Sequence, residues 1–192
     1  MAHLPEISAR EYIANTRIWL EKAVIGLNLC PFASAVHNRG LIRWIVSDAS
    51  TESELLHDLA DEVRFLGSTT AEQVDTTLLI HPFVLGDFIE YNQFLEPAEA
   101  LLEELGMEGV LQLASFHPNY LFAGTEPNDI TNNTNRSPYP TLHLLREDSI
   151  TSALEGFPAP ERIYQANIET LIRLGQEGWK NLGIPRPSSG PD

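Results

Sequence analysis

Apolar residues fall along the chain in two alternating periods. At the start Ile13, Ile18, Trp19, Val24, Ile25 and Leu29 recur at helical spacing. They predict a helix from Ser8, with Glu11 three residues on in capping-box position, to about Asn28. It should stop before Cys30-Pro31, because proline disfavours α geometry in the residue it follows. Leu41 to Ser47 (LIRWIVS) reads as a strand, and Thr51 to Leu66 as a helix capped by Ser50 or Thr51, with Glu54 completing a capping box. Thr76 to His81 (TTLLIH) is nearly all apolar, the pattern of a strand covered on both faces. A second amphipathic helix follows from about Asp87 to Leu105, with Gly106 as its stop and Pro97 expected to divide it. Val110 to His117 (VLQLASFH) and Thr141 to Arg146 (TLHLLR) read as strands, separated by an irregular segment rich in Asn, Thr, Gly and Pro. A last helix is predicted from near Pro160 to about Leu182, carrying Ile163, Ile168, Leu171, Ile172 and Trp179.

The resulting order, α, β, α, β, α, β, β, α, predicts an α/β (or α+β) fold. Its sheet should be mixed and four-stranded: a βαβαβ unit with parallel neighbours and right-handed crossovers, plus an antiparallel strand, with helices packed on it and at both chain ends. One domain is expected over residues 1–184, with the tail 185–192 (PRPSSGPD) disordered.

Charge narrows the functional classes. The chain has 192 residues, with 12 Lys plus Arg against 27 Asp plus Glu and a formal net charge of −15. Such a surface repels phosphate backbones and anionic lipids, so no nucleic-acid and no membrane partner is expected. No stretch approaches the ~18 consecutive apolar residues of a membrane span. The first residues lack the basic start and apolar run of a signal peptide, so the chain reads as soluble and cytoplasmic. Oligomeric state leaves no mark in the sequence. A single cysteine, Cys30, excludes an internal disulfide, an all-cysteine zinc site and an iron–sulfur cluster held by one chain. Cys30 is then a buried inert thiol or a metal or haem thiolate. Its place after a helix C-terminus raises rather than lowers a thiol pKa, which counts against a nucleophile.

Two apolar strands end in His-Pro, at His81-Pro82 and His117-Pro118. If those strands are parallel, both histidines emerge at the carboxyl edge of the sheet, where open α/β sheets bind ligands. Asp87 and Glu90 follow His81. The 23-residue segment 118–140 leaves from His117 and holds Asp129, Asn132, Asn133, Asn135, Arg136, Ser137 and Tyr139. Structureless loops of that length are often functional. The strand after it carries His143. His81 and His117 with Glu90 or Asp129 would suit a divalent metal, zinc, iron or manganese. Without metal, the same histidines suit acid–base work near neutral pH. Arg136 could grip a carboxylate or phosphate, and Tyr139 could help orient a small polar or anionic substrate. The catalytic candidates are therefore His81, His117, Arg136 and Tyr139, and the metal candidates His81, His117, Glu90 and Asp129.

Each residue also has a plainer role open to it: satisfied strand-end histidines, turn-forming asparagines, Asp87 as a helix cap, Arg136 tying down its own loop. No phosphate loop, dinucleotide fingerprint, HExxH or GxSxG is present.

The segments LNLCPFA (27–33), SFHPNYLFAG (115–124) and DITNNTNRSPYPTLHLLRE (129–147) resemble bacterial proteins grouped as domain-of-unknown-function family 1415. The resemblance runs over nearly the whole chain. It implies a small cytoplasmic bacterial protein, and it implies no activity and no catalytic residue.

Three functions are thus in play. One is a small-molecule enzyme with a His-rich, metal-dependent rim site, a hydrolase using metal-bound water or an oxidoreductase using iron. The second is a metal-free small-ligand binding module with the long loop as a lid. The third is an acidic protein-interaction domain whose contact is that loop, to be signalled by exposure of Tyr120, Leu121 and Phe122.

Overall fold

The computed structural model describes residues 8–155 and 162–185. Its helices are α1 (Ala9–Trp19), α2 (Ala33–Asn38), α3 (Glu52–Ser68), α4 (Phe88–Glu104), α5 (Glu147–Glu155) and α6 (Arg162–Asn181), and its strands are β1 (Ile42–Val46), β2 (Thr76–Ile80), β3 (Leu111–Phe116) and β4 (Thr141–Arg146). The strands form one mixed sheet in the order β1-β2-β4-β3. β1 and β2 are parallel, and β4 lies antiparallel between β2 and β3. It follows that β1, β2 and β3 all run the same way, and the fold is the α/β class expected.

Alternation along the strands divides the apolar residues between two layers of helix. Ile45, Leu79, Leu111, Leu113, Leu142 and Leu144 pack with Leu55, Leu59 and Val63 of α3 and with Tyr91, Phe94 and Ala98 of α4. On the other face Ile42, Trp44 and Phe116 meet Trp19 and Leu20 near the end of α1 and Leu171 and Trp179 of α6. β2, covered on both sides, is buried at every position.

The helix ends show which local signals held. Thr51 and Glu54 form the expected capping box on α3. Ser8 takes the extended N-cap conformation before α1, but its side chain makes no capping hydrogen bond, so the second expected box does not form. α1 continues into a π-helical turn, Leu20–Ile25, whose wider spiral carries the Gly26 N–H to the Glu21 carbonyl at 3.0 Å. Pro97 does not divide α4. The ring costs one backbone hydrogen bond, while Tyr91, Phe94, Ala98 and Leu102 bury a continuous stripe on either side of it and hold the helix together. The last helix is interrupted at Gly175, whose φ of 67° and ψ of 174° lie outside helical space. Helices α2 and α5 have no counterpart in the sequence reading. The expected start at Pro160 and residues 186–192 of the expected tail lie outside the described residues.

Candidate functional site

Because β2 and β3 share a direction, His81 and His117 do emerge at one edge of the sheet. β4 begins between them: Ile80 and Phe116 both pair with Thr141. The backbone fastens the long loop to both histidines, through His81 N–H to Pro140 O at 3.0 Å and His117 N–H to Asn135 O at 3.1 Å.

Between the imidazoles stands Tyr91 of α4, which the sequence reading missed because it sits on a helical stripe with core residues. His81 stacks on its ring at 5.7 Å, and His117 lies 5.0 Å away on a tilted plane. Its hydroxyl accepts the Phe116 N–H at 3.1 Å and donates to the Thr141 carbonyl at 2.9 Å. Burial raises the phenol's pKa far above the usual range, so the proton that this bond requires stays in place.

Hydrogen bonds assign the histidine tautomers. His117 donates from Nε2 to Leu85 O at 3.1 Å and accepts the Asn119 N–H on Nδ1 at 3.0 Å. His81 donates from Nδ1 to Val84 O at 3.2 Å, while its buried Nε2 has no partner among the described residues. Two successive carbonyls are therefore held by two histidines. The loop they brace contains Leu85, a buried non-glycine residue at φ 59°. Such a backbone persists only where its surroundings hold it. His143 lies mid-strand. Thr76 Oγ1 is 2.5 Å from Leu144 O and 2.6 Å from His143 Nε2, and since a carbonyl only accepts, His143 Nε2–H donates to the hydroxyl.

All three imidazoles are held neutral. Burial lowers the pKa of His81 and of His143 to about 4, and burial lowers that of His117 as well.

The remaining candidates go to different places. Asp87 caps α4 by accepting from Ile89 N and Glu90 N at 2.8 and 3.1 Å. Glu90 is exposed on the first turn of that helix. Asp129 caps a short 3₁₀ turn, Ile130–Thr134, and the Thr131 hydroxyl and N–H that it accepts lower its pKa. Tyr139 is buried beside Tyr12, its hydroxyl accepting from Asn15 Nδ2 at 2.8 Å. Among the described residues no group of three or more His, Cys, Asp or Glu side chains is placed to hold a metal ion, so His81, His117, Glu90 and Asp129 are not assembled into one centre. Cys30 is half-buried against the apolar cluster around Trp19.

Arg136 spans its own loop, donating from Nε to Tyr120 O at 3.0 Å and from Nη2 to Pro127 O at 2.9 Å. These bonds fix its guanidinium at the wall of a cleft of about 660 Å³. Asn119, Asn133, Ser137, Trp179 and Lys180 also line it, and no Asp or Glu does among the described residues. Asn132 and Asn133, adjacent in sequence, have opposite roles. Asn132 spends its amide on Phe122 N, Thr125 Oγ1 and Glu126 O. Asn133 is only 5% exposed, and its amide makes no hydrogen bond among the described residues. Lys180, exposed, forms no ion pair among them. The far wall comes from the end of α6, tied to the loop by Gln176 Nε2 to Asn128 O at 2.8 Å. His117 does not line the cleft but meets its lining at Asn119, whose N–H it accepts. Lys180 and Trp179 had no functional signal in the sequence, where they belong to a terminal amphipathic helix.

A family model described as Protein of unknown function (DUF1415) matches residues 11–181, and the chain belongs to that family. No curated protein and no solved structure matches the chain. No helix among the described residues is long and apolar enough to cross a membrane.

Two predictions follow from the braced edge. A histidine held neutral takes up its proton at lower pH in the folded state than in the unfolded chain, where the pKa is about 6.5. The stability it confers is complete above that pH and is lost as pH falls toward 4, at about 1.4 kcal/mol per pH unit for each fully shifted group. Urea unfolding midpoints should therefore fall steadily from pH 7 to 4.5, although the acidic chain's self-repulsion decreases over the same range. A flat or rising profile contradicts the assignment. Tyr91→Phe leaves the Phe116 N–H without its acceptor and should lower unfolding free energy by about 1–3 kcal/mol; an unchanged urea midpoint would show that the hydroxyl bridge is not stabilising.

Proposed function

We propose that the chain is a metal-free binding module for a small anionic molecule, taken up in the cleft between the 118–138 segment and the end of α6. The observation that carries this reading is the cleft's sign. In a chain of net charge −15, its charged lining among the described residues is Arg136 and Lys180 alone. Its volume of about 660 Å³ is within the usual range for small-molecule sites. Asn133 brings to the lining a side-chain amide that makes no hydrogen bond among the described residues.

Under this reading Arg136 and Lys180 hold a carboxylate or phosphate, Asn133 and Asn119 supply directed hydrogen bonds, and Trp179 with the flanking prolines excludes water. His117 is a positioning residue, setting Asn119 through its Nδ1. The commitment of both His117 nitrogens, and the sealing of His81 Nε2 from solvent, favour binding over acid–base catalysis at these two residues.

Titration calorimetry of the full chain with inorganic phosphate and with malonate tests this, one probe being tetrahedral and the other planar. At least one should bind with one-to-one stoichiometry. Lys180→Gln and Asn133→Ala should each weaken that binding about tenfold, the loss of one hydrogen bond to a charged group. Affinity equal in both variants and the parent would remove the cleft as the site.

A further inference from the structure

A second groove, of about 400 Å³, runs between α4 and the 120–123 segment and plays no part in the anion cleft. Three aromatic rings line it in succession, Phe88, Tyr120 and Phe122, and Tyr164 packs on Phe122 beyond it. Phe88 is 5.0 Å from Tyr120, Tyr120 is 5.0 Å from Phe122, and Phe122 is 6.1 Å from Tyr164. The apolar side chains around them face solvent: Ile89 is 67% exposed, Tyr164 55% and Leu121 37%. Single exposed apolar residues are ordinary, but a contiguous row marks an interaction surface.

Charge identifies the partner's sign. α4 carries Glu90, Glu96, Glu99, Glu103 and Glu104 and contains no Lys or Arg. Ile89, Asn92, Gln93 and Glu96 share one face of it by their spacing of three and four, and Asp87 stands at its N-terminus. No basic residue lines the groove among the described residues.

The amides identify the partner's backbone. Asn92 and Gln93 line the groove, and their side chains make no hydrogen bond among the described residues. A helical partner satisfies its own carbonyls and would leave these donors unused. An extended polyproline-type segment has no internal hydrogen bonds and presents its carbonyls to such donors. Rings about 5 Å apart touch one another and present a continuous aromatic surface on which proline rings and short apolar side chains can lie, the mode by which aromatic-lined grooves hold proline-rich segments. Along the groove the row extends over at most about 10 Å, matching about three residues of that helix at about 3.1 Å each.

We propose that this groove docks an extended, proline-rich segment of another protein, flanked by arginine or lysine. The aromatic row holds the prolines, Asn92 and Gln93 donate to the segment's carbonyls, and the acidic face of α4 receives the flanking cations.

The test is fluorescence anisotropy with a labelled synthetic peptide of alternating proline and leucine bearing two arginines at each end, titrated with the full chain. Saturable one-to-one binding is expected. Ile89→Arg and Leu121→Ser, both at exposed positions, should each weaken it at least tenfold with unchanged thermal unfolding. A peptide with glutamates in place of the arginines should lose at least tenfold, and saturating phosphate should leave binding unchanged. Absence of binding, equal binding of the acid-flanked peptide, or tighter binding of a basic amphipathic helical peptide would each overturn the proposal. So would sedimentation showing a dimer of the parent chain that Ile89→Arg dissolves, because the groove would then be covered by a second copy.

Discussion

The phenol of Tyr91 joins two strands that run in opposite directions, and the edge of the sheet is organised around it. Its hydroxyl closes the last rung between β3 and β4 by serving one N–H and one carbonyl, while its ring supports an imidazole on either side. Those imidazoles in turn hold the carbonyls of Val84 and Leu85. One buried side chain thus fixes where β4 enters the sheet, and with it where the 118–140 segment leaves and returns. A buried polar network of this kind stabilises only when its members are paired, and nearly all of these are. His81 Nε2 is the exception, sealed from solvent and unpartnered among the described residues.

The cleft follows from that arrangement. With both ends of the long segment pinned at one sheet edge, Arg136 is tied to the segment's own carbonyls at the wall of the cleft. The opposite wall belongs to α6, about forty residues later in the chain, where Gly175 interrupts the helix ahead of Trp179 and Lys180. The break has a backbone conformation that only glycine adopts readily, with open space where a Cβ would stand. The chain's general acidity and this basic hollow do not conflict: the first is spread over exposed helix faces such as that of α4, and the second is a local pairing of residues distant in sequence.

Much of this was legible along the chain, and the parts that were not have physical reasons. The His-Pro endings placed both histidines on one edge, because a proline ends strand pairing and the strands proved co-directional. The sequence carried no sign that β4 would enter between β2 and β3, since that choice is made by long-range pairing. Helix α2 is six residues long and buries none of them, and α5 likewise has no buried residue, so neither leaves an apolar stripe to read. Pro97 misled because tertiary burial outweighs a local breaker. Arg136 stood out as the one cation in its loop, Asn133 was one of several turn-forming asparagines there, and Lys180 and Trp179 were hidden in a terminal helix whose contact with that loop no local pattern encodes. The metal reading came from two His-Pro strand ends beside a long polar loop, which place the histidines at one edge but say nothing of which carboxylates reach them. Asp129 is committed to capping its own turn, and Glu90 is exposed on the first turn of α4.

The most direct test of the account is an amide and indole NMR titration of the isotope-labelled full chain with inorganic phosphate. The account predicts shifts concentrated on the Asn119, Ser137 and Lys180 backbone amides, the Asn133 side-chain amide and the Trp179 indole N–H, with the edge around Tyr91 keeping its signals. Shifts absent from these groups, or gathered instead at the N-termini of α3 and α4, would contradict it.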